Sequence, residues 1–216
     1  MGLLMSEDFS EHADLLRRAK SGDDRALAAL FTTFRERLKR MVRLRLDRRL
    51  SGRVDASDVV QEAYLEVHRR FTEWTRDEQL PLFLWMRLVT GQKLMDVHRH
   101  HLGAQMRDAS QEVSLYRGAL PQASSASLAA HLLGKMTSVS QAAIRAEHKL
   151  IVQEALNSMD TLDREVLVLR HFEHLNNEET ALALGVKKST ASQRYIRALK
   201  RLKEILSTVP GLGNIP

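Results

Sequence analysis

The sequence contains no cysteine. That removes disulfide scaffolds, thiolate metal sites and cysteine nucleophiles, and it fits a reducing compartment. Glycine occurs 10 times and proline 4 times in 216 residues, and aromatic residues make up only 5%. Sheet-rich folds use more of all three, so the composition points to an all-α fold. Long apolar runs are missing too. The longest uncharged run, 118–134, holds Pro121, Gln122 and the serines Ser124, Ser125 and Ser127, which do not suit a bilayer. Met1 to Met5 is followed at once by Glu7, Asp8 and Glu11, so no signal peptide is expected and a soluble cytoplasmic chain is.

What is present is apolar periodicity and positive charge. Hydrophobic residues make up 44%, enough for packed cores, and 33 Lys and Arg against 27 Asp and Glu give a net charge of +6. From Ser10 to Arg99 the apolar spacing is helical. Gly22 can end one helix and Asp23 cap the next. Asp55, with Asp58 three residues on, resembles a capping box for a helix with Val60, Ala63, Tyr64, Val67 and Phe71 on one stripe. A loop is expected over Thr72 to Pro81, and Pro81 suits the first turn of the helix that follows.

From Gly103 to Val139 the chain turns to Ser, Ala, Gln and Gly with little periodicity, apart from a partly helical piece near Leu128 to Leu133. So long a loop is unusual inside one domain, which predicts two small helical domains, 1–102 and 141–216, joined by a flexible linker over 103–140. In the second, Ile144, Ile151 and Leu156 share a stripe. Thr161, Asn176 and Ser189 can each cap a helix, with Glu179 at the box position after Asn176.

Residues 176–203 read as helix, turn and second helix, with Gly185-Val186-Lys187 as the turn. The second helix offers Ser192, Gln193, Arg194 and Arg197, the residue types that meet base edges and phosphates. Between Lys187 and Lys203 stand seven Lys or Arg and no acid, which predicts DNA binding; the bland alternative is a solvated basic face. A second basic stretch, Arg35 to Arg53, fits nucleic-acid contact and ion pairing with neighbouring helices equally well.

Asp58, Gln61, Glu62 and Leu65 fall on one face of their helix, away from its apolar stripe. A carboxylate face carrying one leucine suits docking to a basic partner, although a plain amphipathic helix has the same spacing. Trp74, Phe83 and Trp85 lie beside the basic stretch Arg87 to His101, so they suit stacking on unpaired bases as well as core packing. His98, His100 and His101, and separately His171 and His174, lack a completing carboxylate or thiol, so no metal is expected. No phosphate-cradling glycine loop or nucleophile motif occurs, and neither a cofactor nor catalysis is expected.

These motifs together resemble the sigma-70 family of bacterial RNA polymerase sigma factors, in its extracytoplasmic-function group. Ala19-x-x-Gly22-Asp23-x-x-Ala26 resembles the opening of that group's region two. Asp55-Ala56-Ser57-Asp58-Val59-Val60-Gln61-Glu62-Ala63-Tyr64-Leu65 closely resembles its most specific helix. Trp85, Asp96 and Arg99 match the spacing of its following helix. Glu178-Glu179-x-Ala181 and Ser189-Thr190-Ala191-Ser192-Gln193-Arg194 resemble region four. Where the family has Ile-Ala-Arg-Asn, this chain has Val89-Thr90-Gly91-Gln92, and a helical glycine costs about 1 kcal/mol against alanine.

The resemblance implies a promoter-recognition factor rather than an enzyme. It implies that Asp58, Gln61, Glu62 and Leu65 bind the beta-prime clamp helices of core RNA polymerase, and that region four meets the beta flap. It implies that Lys188, Ser189, Thr190, Ser192, Gln193, Arg194 and Arg197 read a −35 element in duplex DNA. Trp74, Arg76, Trp85, Lys93, Asp96 and Arg99 would then read and help melt the −10 element, whose unpaired bases the 72–81 loop would hold. An anti-sigma protein is a further partner that the resemblance leaves open, and no membrane is involved. The rival reading is a stand-alone helix-turn-helix regulator that binds duplex DNA without polymerase.

Overall fold

The computed structural model describes residues 3–50, 52–102, 120–134 and 142–207. The described residues form helices and no strand: α1 (Leu3–Lys20), α2 (Asp24–Arg45), α3 (Ala56–Arg76), α4 (Leu82–Leu102), α5 (Ser125–Gly134), α6 (Ala142–Asn157), α7 (Thr161–Leu167), α8 (Asn177–Leu184) and α9 (Lys188–Ser207). The fold is all-α, as the sparse glycine, proline and aromatic content predicts.

Local chemistry sets most of the boundaries. Gly22 takes φ +92°, which ends α1, and the Asp23 side chain accepts from the Arg25 and Ala26 amides to start α2. Asp55 caps α3 through the Ser57 amide, rather than through a box with Asp58. Asn176 and Glu179 close a full capping box on α8, and Gly185 at φ +62° ends it. Three expected boundaries move. Asp160, not Thr161, caps α7, because its carboxylate reaches the Leu162 and Asp163 amides. α9 starts at Lys188, ahead of Ser189. α3 continues to Arg76, because burial of Phe71 and Trp74 holds its last turns, so the loop shrinks to 77–81.

The linker expected over 103–140 lies outside the described residues except for 120–134. There the chain forms α5, which buries Leu128, Ala129 and Leu133. The Ile144 side chain also lies outside the description.

Two apolar clusters hold the molecule. The first joins α2, α3 and α4 through Leu30, Leu38, Met41, Val60, Val67, Met86 and Val89, and includes Val166, Leu169, Leu175 and Leu184 from the C-terminal half. The second joins α5, α6, α7 and α9 and takes in Leu44 from α2. The shift in composition after Gly103 therefore does not coincide with a break in packing.

A buried ionic cluster ties the same halves. Arg45 is 2% exposed and Glu173 2% exposed. The Arg45 guanidinium donates to Glu173 at 2.6 Å, to Glu165 at 2.5 Å and to the Pro121 carbonyl at 2.9 Å. Arg87 of α4 donates to the other Glu173 oxygen at 2.7 Å. Glu173 reaches this point because the chain widens into a π-turn at Val168–Phe172, and the following residue, His174, turns back at φ +58°. A left-handed non-glycine residue costs of order 1–3 kcal/mol and persists where its surroundings impose it. Burial by itself would raise the Glu173 carboxyl, but the attraction of Arg45 and Arg87 outweighs it and holds the group at about 2.

The sequence left the Arg35–Arg53 cations open between nucleic acid and neighbouring helices. Arg45 is in the core, and Arg37 lies 3.6 Å over the Phe83 ring and pairs with Glu179 at 3.6 Å. Arg43, Arg48, Arg49 and Arg53 remain exposed.

Removing one member of a buried ionic cluster leaves its partners uncompensated, at a cost of about 3–5 kcal/mol. Glu173→Gln should therefore lower the urea midpoint at neutral pH sharply. Because the Glu173 carboxyl sits below its ordinary 4.5, its contribution is complete above that pH and is lost as pH falls toward about 2. The variant should show a flatter acid limb than the wild type in an equilibrium pH titration.

Candidate nucleic-acid interface

α8 and α9 pack as a helix-turn-helix. Ala181, Leu184 and Ala191 are buried between them, the Val186 amide donates to the Ala181 carbonyl at 3.0 Å, and Asn177 donates to the Lys188 carbonyl at 3.0 Å. The outward face of α9 carries Lys188, Ser189, Ser192, Gln193, Arg197 and Lys200, all exposed, while Thr190 and Arg194 are half-buried. Ile196 lies on the same face, 53% exposed.

Arg194, Arg197 and Lys188 among the predicted readers already have partners within the chain. Arg194 donates to Asp163 at 2.9 Å and to Asp160 at 3.2 Å, and Arg197 donates to Asp163 through both Nε and Nη2. Burial would raise the Asp163 carboxyl; the bonds from Arg197 and Arg194 override it and hold it below the usual carboxylate range. The cap of α7 and the residue three positions on thus orient two arginines of α9. Sequence reading missed Asp160 and Asp163 in this role. The signal available was a pair of carboxylates in the first turn of the helix preceding the motif. Lys188 pairs with Glu178 at 2.7 Å.

On α3, the stripe Val60, Ala63, Val67 and Phe71 is buried, and Asp58, Gln61, Glu62 and Leu65 are all exposed. Leu65 is 62% exposed, and among the described residues nothing covers most of its side chain. Glu62 meets Lys93 of α4 at 3.2 Å, which places the end of this face beside the exposed side of α4.

Trp74, Phe83 and Trp85 are core. Trp74 and Trp85 are 6% and 7% exposed and stack at 5.5 Å, with Phe71 at 5.6 Å from Trp74. The Trp74 indole donates to the Leu80 carbonyl at 3.0 Å, so the ring holds the 77–81 loop rather than facing outward. Of the other residues expected at a −10 element, Arg76, Asp96 and Arg99 are exposed, Lys93 is half-buried, and Arg99 pairs with Asp96. Gln92 joins them on the exposed side of α4 and bonds Arg70 at 2.9 Å.

His98 does not belong to that exposed side. It is 2% exposed, its Nε2 accepts from the Asp47 amide at 3.2 Å, and burial pushes its pKa down. Among the described residues, no three His, Asp or Glu side chains come close enough together to hold a metal ion, and no helix is long and apolar enough to cross a membrane.

Residues 149–202 match the family described as Sigma-70, region 4. Over 190 residues, 88% of this chain and 81% of that protein, the sequence is 28% identical to the ECF RNA polymerase sigma factor SigD of Mycobacterium tuberculosis (strain ATCC 25618 / H37Rv). A shorter stretch of 60 residues, 28% of this chain and 33% of that protein, is 41% identical to the RNA polymerase sigma-E factor of Streptomyces antibioticus. Among solved structures, CnrH in complex with the cytosolic domain of CnrY is similar in fold. It aligns with a TM-score of 0.54 and 21% identity over 92% of this chain and 98% of that one.

If the stacked tryptophans support the fold, Trp85→Ala should destabilise it by about 3–5 kcal/mol, as large-to-small changes in cores do. A thermal melt would read this directly. A variant as stable as the wild type would return the ring to the candidate DNA surface.

Proposed function

We infer, from a chain that belongs to the extracytoplasmic-function group of the sigma-70 family, a non-catalytic initiation factor that acts in the cytoplasm. It binds core RNA polymerase and directs it to promoters that carry −10 and −35 elements. Two helical units, residues 1–102 and 141–216, divide the work across the 103–140 linker.

The observation that carries this reading is Leu65, 62% exposed and flanked on its helix face by the exposed Asp58, Gln61 and Glu62. A large apolar side chain gains nothing in water, and carboxylates around it select a basic partner. The beta-prime clamp helices are that partner in this reading. The outward face of α9 takes the −35 element: Ser192 and Gln193 meet base edges, Lys188 and Lys200 meet phosphates, and Arg194 and Arg197 are aimed by Asp160 and Asp163. Arg76, Lys93, Asp96 and Arg99 face the −10 element, while Trp74 and Trp85 support them from beneath. The beta flap and an anti-sigma protein complete the partners. A stand-alone regulator would leave the α3 face without a use.

The test is run-off transcription with purified core polymerase. The wild-type chain should confer initiation on a subset of genomic promoter fragments. Asp58→Lys and Glu62→Lys should abolish it and remove co-sedimentation with core enzyme while leaving helicity intact. Gln193→Ala should weaken promoter binding by about 1–3 kcal/mol and relax choice at one −35 position. Normal co-sedimentation of both charge-reversed variants would remove the docking assignment.

A further inference from the structure

The glycine that departs from the family pattern has a use in this chain. A Cβ placed on Gly91 would overlap Leu120 Cδ2 and lie 2.9 Å from Leu120 Cγ. Leu120 occupies the space where any other residue at 91 would put its side chain. Gly91 stands one turn from Arg87, on the same side of α4, and Arg87 binds Glu173. Beside Leu120, the Pro121 carbonyl accepts from Arg45 at 2.9 Å, and the Ser124 amide donates to the Leu44 carbonyl at 3.0 Å. Gln122 accepts from Arg164 of α7 at 3.0 Å. Residues 120–124 are therefore hydrogen-bonded to α2 and α7 and packed against α4 through Leu120, over an ionic cluster that joins the two halves.

We propose that residues 120–124 act as an autoinhibitory strap, with Leu120 seated in a notch at Gly91. The strap holds the two DNA-reading halves in a closed form that must open before both promoter elements are bound together. The inference rests on the initiation-factor reading for its consequence, though not for the closure itself.

Size supplies the reason for opening. A compact chain of this length has a radius of gyration of roughly 17 Å and a diameter of about 45 Å. Elements centred about 25 base pairs apart are separated by roughly 85 Å of B-DNA, at about 3.4 Å per base pair. The closed body presents the exposed sides of α4 and α9 to solvent, but it is too short to lay both on one straight promoter. Polymerase shifts the equilibrium if it binds the open form more tightly than the closed one.

Two variants test the strap from opposite sides. Gly91→Leu fills the notch with a residue that favours helix more than glycine does, so α4 itself is not weakened. Leu120→Ala removes the plug and leaves α4 untouched. Both should keep wild-type helicity by circular dichroism. Both should raise the radius of gyration measured by small-angle scattering and speed hydrogen exchange of the Ser124 amide several-fold. With core polymerase in excess and the chain limiting, both should give several-fold more run-off transcript than the wild type. An unchanged radius and unchanged Ser124 protection in both variants would overturn the proposal. Opening in solution by both, with no transcription from any form, would leave the strap standing and remove the initiation-factor reading instead.

Discussion

The structure depends on one buried carboxylate. Glu173 sits between Arg45 of α2 and Arg87 of α4, with Glu165 sharing Arg45. Taking two guanidinium groups and a carboxylate out of water is expensive, and it is offset only where geometry is good and the remaining donors are bonded. Here they are: Arg45 directs its three nitrogens to Glu173, Glu165 and the Pro121 carbonyl. Such clusters add less to net stability than apolar packing of the same volume would. What they add is a preference for one arrangement of elements, because each alternative strands a charge. In this chain the arrangement selected is contact between halves that stand far apart in sequence.

That contact gives the linker segment a structural meaning beyond length. Arg45 meets both Pro121 and Glu173 at the end of the π-turn, so α2 anchors much of what crosses between the halves, together with Arg87 of α4. The basic stretch at Arg35–Arg53 divides accordingly. Its inward members, Arg37 and Arg45, pair with carboxylates of the C-terminal half, and its outward members stay in solvent. The same economy appears in the helix-turn-helix, where Asp163 fixes two arginines of α9 while Ser192 and Gln193 stay exposed. Charged side chains that are pre-oriented lose less freedom when they meet a ligand.

Much of the fold was legible because its signals are local. Gly22, Asp23, Asn176, Glu179 and Gly185 each act within four residues, and all do what their chemistry predicts. The apolar stripe of α3 and the exposed set Asp58, Gln61, Glu62 and Leu65 follow from helical spacing alone. The tryptophans were ambiguous in sequence because an aromatic residue beside positive charge serves a core as well as a base. Their mutual stacking resolves which. The ionic cluster was not legible at all: Arg45 and Glu173 are 128 residues apart, and nothing local marks either as buried. Gly91 looked like a weakness in a helix, and the tertiary contact with Leu120 supplies its reason.

In the proposed reading, the exposed face of α3 takes a large basic partner, and the exposed sides of α4 and α9 take DNA separately. The most direct measurement of that division is a nuclease footprint on a promoter fragment, with the chain alone and with stoichiometric core polymerase. The account predicts that the chain alone protects neither element and that the complex protects the −35 and −10 segments together. Strong protection of a single duplex site by the chain alone, unchanged when polymerase is added, would contradict it.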